Sequence, residues 1–199
     1  NNTTGSNNTA VGKDALLANT TSSNNTAVGK NALAANTTGN QACAFGVDAL
    51  LNNTTGAINN AFGHNALHDN TTGQANTAIG RNTCYKNVDA DFNVAVGYDA
   101  LFYNVSSDKN VAVGHEALYN CIGTYNNAVG ANALKAVTTG TENSALGYSA
   151  GDLVTTGSNN TLLGKSAGRP DSPSGTISTG SNNVVLGNNN TQNLYCADT

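Results

Sequence analysis

Charge is scarce in this sequence. Asp, Glu, Lys and Arg make up 10% of its 199 residues, and their balance is −4. Eight Lys and Arg cannot form a dense phosphate-binding face, which excludes a nucleic-acid partner. Long apolar runs are missing too. None approaches the roughly 20 residues that a membrane-crossing helix needs, so membrane insertion is not expected. Trp and Met are absent, aromatic residues amount to 6%, and Pro occurs twice. That argues against the large-side-chain core of an ordinary enzyme domain of this length. There is no signal-like stretch and residue 1 is Asn. The chain is therefore expected to be a piece of a longer protein, with any targeting segment outside it.

Asn and Gly take the vacant share, with 35 and 22 residues. Such polarity would suit disorder, but the apolar residues keep a strict order. The tripeptide Ala-Val-Gly and its variants recur at Gly12, Gly29, Gly46, Gly63, Gly80, Gly97, Gly114, Gly130, Gly147, Gly164 and Gly187. The step between these marks is 17 residues, except 16 from Gly114 to Gly130 and 23 from Gly164 to Gly187. A short fixed period signals a solenoid whose units bury themselves against their neighbours. The long step holds both prolines, Pro170 and Pro173, and reads as a loop leaving one coil. The expected organisation is a regular repeat over 1–168, an inserted loop at 169–174, a last coil at 175–190 and a tail at 191–199.

Each offset from the mark defines a column. Four before it stands Asn (Asn8, Asn25, Asn59, Asn76, Asn93, Asn110, Asn126, Asn143, Asn160 and Asn183), with Ala42 the exception. Two before is Ala, except Leu162 and Val185, and one before is aliphatic or Phe. Ala and Leu usually follow at three and four after, then a turn whose fullest form is Asn-Thr-Thr-Gly, as in Asn36 to Gly39. Seventeen residues are too few for two packed helices and a loop. Each unit is expected to be strand, tight turn at Gly, second strand, and turn at Asn-Thr-Thr-Gly. Coils rising about 4.8 Å each would make an all-β rod roughly 50 Å long. The Asn column would form an amide ladder, and the glycine column would need φ above zero.

Neighbouring residues on a strand face opposite ways. Ala10 and Val11, or Ala15 and Leu16, are adjacent and apolar in most units. One face can fill the coil; the other needs a cover, most simply another copy of the chain. The alternative is a monomer that tolerates Ala on a half-exposed face. Which column faces the partner stays open at this stage.

The pattern Asn-Thr-Ala-Val-Gly-x-x-Ala-Leu-x-x-Asn-Thr-Thr-Gly resembles the repeats of fibrous virion proteins, above all bacteriophage tail fibres. More loosely, it is similar to the head repeats of trimeric autotransporter adhesins, which form a trimeric β-roll. The end of the chain, from Gly187 through Leu194-Tyr195-Cys196-Ala197-Asp198-Thr199, resembles the junction before an intramolecular chaperone domain of the endosialidase type. These resemblances imply a homotrimeric β-solenoid or β-roll segment of an extracellular fibre. The implied partners are the chain itself, an upstream fibre segment, and a host-surface receptor or glycan.

Candidate chemistry is sparse. Cys43, Cys84, Cys121 and Cys196 lack zinc spacing; the first three fall in alternate coils, too far apart to bridge, and read as free thiols. Cys84 occupies the Leu column and reads as core, while Cys196 could bridge chains at the fibre end. His64 and His115 share the column after the mark and, with His68, read as surface residues. Asp14, Asp48, Asp99 and Glu116 share a column with Asn31, Asn65, Asn82 and Asn132, which suits turn capping better than calcium. Asn19, Asn36, Asn53, Asn70 and Asn104 form sequons that an Asn- and Thr-rich repeat produces automatically. No catalytic set, cofactor or metal is expected. Among the middle-third aromatics, Tyr98, Tyr103, Tyr119 and Tyr125 are the candidate surface contacts, the alternative being that they cover irregular turns. An ice-binding solenoid would need Thr at alternate positions, whereas Thr20-Thr21 and Thr37-Thr38 are adjacent. A polysaccharide-degrading tailspike would need an acidic cleft.

Overall fold

The computed structural model describes residues 2–188 and residue 190. The expected C-terminal tail and Cys196 lie outside the described residues. Within them the protein is an all-β parallel solenoid with no helix. Its strands are β1 (Thr9–Val11), β2 (Thr26–Val28), β3 (Cys43–Phe45), β4 (Asn60–Phe62), β5 (Thr77–Ile79), β6 (Val94–Val96), β7 (Val111–Val113), β8 (Asn127–Val129), β9 (Ser144–Leu146), β10 (Thr161–Leu163) and β11 (Val184–Leu186). They form one sheet in chain order, every pair parallel and in register, so Ala27 lies over Ala44 and Ala44 over Ala61.

Each coil contributes only three residues to the sheet. The expected second strand is absent from the described residues: the Ala-Leu segment is a stack of turns. The backbone explains the difference. Asn31 and Leu33 have φ of 58° and 52°, and the same left-handed values recur at Asp48 and Leu50 and at Asn65 and Leu67. These residues curl the chain instead of extending it. The curl also turns Ala32 and Leu33 both inward, each fully buried, so the opposite-face rule does not hold for that pair. The stacked turns still bond coil to coil. Asn31 N–H donates to Lys13 O one coil back at 2.8 Å, and Leu33 N–H to Ala49 O one coil on at 3.0 Å.

In the strands, the Ala column points inward and is fully buried from Ala27 to Ala128, while the residue before the glycine points out. The core of a regular coil is therefore two Ala, one Leu and two Asn. Where one element changes, a neighbour compensates. Gly151 and Gly168 replace Leu in its left-handed position, with φ of 64° and 82°. A Cβ at Gly151 would stand 2.9 Å from Leu162 Cδ1, and one at Gly168 only 2.6 Å from Leu162 Cδ2. Leu162, the large residue in the small-residue column, reaches into the space of both missing leucines, joined at Gly151 by Leu134 Cδ2 at 2.8 Å from that Cβ position.

The 23-residue step leaves the ladder intact, since Thr161 pairs with Val184 and Leu163 with Leu186. The extra residues close on themselves where Ile177 N–H donates to Gly168 O at 2.9 Å. Arg169 holds the loop to the previous coil through both Asp152 oxygens.

The mark glycines do have positive φ. Gly63, at +138°, also stands so close to the next coil that a Cβ would lie 2.4 Å from Gly80 O and 2.7 Å from Gly80 C. Backbone conformation and coil spacing both demand glycine there. Gly63→Ala should lower stability by about 3 kcal/mol or more, read as a fall in the urea midpoint of the far-ultraviolet signal.

Candidate functional site

The repeat columns become ladders along the rod, and two of them are asparagine. In the expected column, Asn25 N–H donates to Asn8 Oδ1 (3.0 Å), Asn76 N–H to Asn59 Oδ1 (3.0 Å), Asn93 N–H to Asn76 Oδ1 (2.9 Å) and Asn110 N–H to Asn93 Oδ1 (2.9 Å). The amide oxygen thus serves the next coil's backbone more than its side chain. Ala42, lacking an amide, still donates its N–H to Asn25 Oδ1 at 2.9 Å. The amide nitrogens reach across to turn carbonyls, as Asn59 Nδ2 does to Gly73 O at 2.7 Å. Direct amide-to-amide bonds occur in part of the column, for example Asn160 Nδ2 to Asn143 Oδ1 at 3.0 Å.

The cleaner amide ladder stands at the head of the Asn-Thr-Thr-Gly turn, where sequence reasoning placed only a turn. Asn53 Nδ2 donates to Asn36 Oδ1 (2.8 Å), Asn70 to Asn53 (2.7 Å) and Asn87 to Asn70 (2.6 Å), while Asn70 also closes its own turn on Gly73 O at 3.0 Å. The signal was present as the constant 17-residue spacing of these asparagines. Beyond Asn104 the column becomes Cys121, Val137, Val154 and Ile177, all buried, so amide bonding gives way to apolar stacking. Asn19, Asn36, Asn53, Asn70 and Asn104 belong to this ladder and are buried, which closes these five sequon amides to a glycan in the folded protein.

The aromatic residues do not form one cluster. His68, Tyr85, Phe102 and Tyr119 share a column and stack face to face at 4.8, 5.2 and 5.4 Å between centroids. Tyr103 sits in the next column with its ring edge-on to Phe102 and Tyr119. Tyr98 stacks on His115 at 5.5 Å in a separate column, under Arg81. Tyr125 is elsewhere again, accepting a hydrogen bond from Lys109 Nζ at 3.1 Å. Of the candidate contacts, Tyr103 and Tyr119 are brought together, while Tyr98 and Tyr125 stand apart. Stacked rings cover each other's faces and offer edges to solvent, which stiffens the rod axially.

Beside the main stack, Asp69 accepts from Lys86 Nζ at 2.9 Å and lies 2.6 Å from His68 Nδ1. Burial pushes the Asp69 carboxyl upward, but its hydrogen bonds to Lys86 and His68 prevail and hold it below the usual carboxylate range. The acid column is knitted axially, Asn31 Nδ2 donating to Asp48 Oδ1 at 2.8 Å and Asn82 Nδ2 to Asp99 Oδ1 at 3.0 Å. Threonine pairs divide their work. The Thr37 and Thr54 hydroxyls bond carbonyls of the next coil at 3.0 Å, while Thr38 and Thr55 are exposed. In these two turns only one threonine faces out, whereas Thr20 and Thr21 are both exposed.

Cys43, Cys84 and Cys121 are free thiols. Burial pushes Cys84 up to about 12 and Cys121 up to about 11. Cys43 is half-buried on the outer sheet face. No protein-family model, curated protein or solved structure matches this chain.

Two outcomes are expected. Asn70→Ala should cost about 2–4 kcal/mol in urea unfolding, because it removes bonds to Asn53, Gly73 and Asn87 from a buried ladder. In thiol labelling at pH 8 mapped by mass spectrometry, Cys43 should react in the native protein, and Cys84 and Cys121 only after denaturation.

Proposed function

We propose that this chain is a structural fibre segment, a rigid homotrimeric stalk of a phage-like viral tail fibre or similar extracellular appendage, which contributes to host-surface attachment without catalysis. The observation that carries this reading is the column before the glycine mark. Val11, Phe45, Phe62, Ile79, Val129, Leu146, Leu163 and Leu186 are exposed on the outer sheet face, with Val28, Val96 and Val113 half-buried between them. They stand in register, and the Phe45 and Phe62 rings stack at 5.1 Å. At about 4.8 Å per coil this apolar stripe runs the length of the rod. Covering it would remove several hundred Å² per copy, on the order of the roughly 800 Å² per partner of a stable interface. A narrow, straight stripe suits rods that meet along a common axis. The partner that matches its spacing throughout is another copy.

The mechanism is mechanical. Axial bonds between coils make a stiff spacer, and three chains multiply weak surface contacts through avidity. An upstream fibre segment and a host receptor or glycan are the remaining partners in this reading. The resemblance to tail-fibre repeats supports the viral setting and to adhesin heads the cellular alternative.

Light scattering after size exclusion tests the assembly. The expected mass is three times that of the chain, and Phe62→Asp or Ile79→Asp should release folded monomers with an unchanged far-ultraviolet spectrum. A monomeric unmodified chain would sink the stalk reading.

A further inference from the structure

The charged side chains are few, yet they are not scattered. The chain has eight Lys and Arg and three His. Lys13, Lys30, His64, Arg81, His115 and Lys165 all stand in the single column that follows the glycine mark. All six are exposed. The sheet register makes this column a straight track along the rod, with a rise of about 4.8 Å per coil. Other exposed columns do not share the bias; the column five before the mark holds Lys109 alone among the basic residues.

We propose that this track binds an extended acidic polysaccharide. The inference rests on the attachment reading for its setting and names the ligand class and the surface. The rise per coil is close to the length of one sugar residue in an extended chain, so successive carboxylates can meet successive coils without bending either partner. The centre of the track is preorganised. Arg81 lies over the Tyr98 ring at 5.7 Å, and Tyr98 stacks on His115 at 5.5 Å. This pile fixes a guanidinium, a phenol and an imidazole edge-outward, donors suited to carboxylate and hydroxyl groups. Tyr148 adds a further exposed phenol in the same column.

The adjacent column carries Asp14, Asp48, Asp99 and Glu116, which bring the pair of columns close to neutrality. These acids sit lower and are engaged. The Lys13 side chain is 78% exposed against 38% for Asp14, and His115 is 54% exposed against 22% for Glu116. Asp48 and Asp99 accept from the asparagine ladder, and Glu116 accepts from Lys135 Nζ at 2.6 Å. Lys13 Nζ lies 3.9 Å from Asp14 Oδ2 and His115 Nδ1 3.6 Å from Glu116 Oε2, but the basic side chains stand further out, so an approaching chain meets the lysines, Arg81 and the imidazoles first. One interrupted row of cations is too sparse for duplex phosphates, but it suits a chain bearing one charge per sugar or fewer.

The test is binding of the full chain to immobilised polygalacturonate, with dextran and duplex DNA as comparison surfaces. Polygalacturonate should bind, more weakly as salt rises, and dextran should not. Lys30→Glu and Arg81→Glu should each weaken binding roughly tenfold, whereas Lys109→Glu, with the same change in net charge, should change it less than twofold. Absence of binding at low salt, equal loss with Lys109→Glu, or equal binding of duplex DNA would overturn the proposal. Light scattering on the same sample separates the two readings. A trimer that does not bind rejects the track and leaves the stalk, and a monomer that binds keeps the track and rejects the stalk.

Discussion

A coil of seventeen residues is too small to enclose its own backbone, so its N–H and C=O groups must be met by the coils on either side. This requirement sets everything else. Each coil can satisfy its neighbours only if it repeats their geometry, and so the left-handed positions recur coil after coil. The cost of holding Leu33, Leu50 and Leu67 at φ near 52° is met by the bonds those residues make with adjacent coils. Two glycine columns take the closest approaches between coils, the marks and the ends of the turns, as at Gly63 and Gly56.

Small cross-section and polar core are consequences of the same constraint. The stacked asparagines bring hydrogen-bonding capacity inside, and backbone groups of adjacent coils and turns satisfy it together with amide-to-amide bonds. Where the turn column changes, Cys121 still bonds Gly123 O and Asn126 through its thiol, and from Val137 through Val154 to Ile177 apolar contact replaces the ladder. A partly satisfied amide row would cost more than either uniform solution. Leu162 obeys the same logic in volume, reaching into the gaps left by Gly151 and Gly168.

With the inside committed to self-stacking, function is left to the outward columns. Each is one residue type drawn out into a line, so the rod presents lines rather than pockets. An aliphatic line suits a second rod, and a basic line suits an extended polyanion. Both proposals follow from this geometry. The aromatic rings, stacked along the axis, contribute rigidity and leave little ring face for a ligand.

The period, the solenoid class and the glycine positions were legible in the sequence alone, because a coil that stacks on itself must repeat its residue types at fixed spacing. The buried identity of Cys84 was legible for the same reason, through its place in the Leu column. What the tertiary structure decided was direction. Whether Ala32 and Leu33 point to opposite sides or both inward depends on left-handed backbone angles at non-glycine residues, which residue type does not announce. The same holds for the missing second strand, for the aliphatic column that faces out, and for the asparagine ladder inside the turn. Spacing determines which residues lie above one another; only the path of the backbone through each turn decides which way they face.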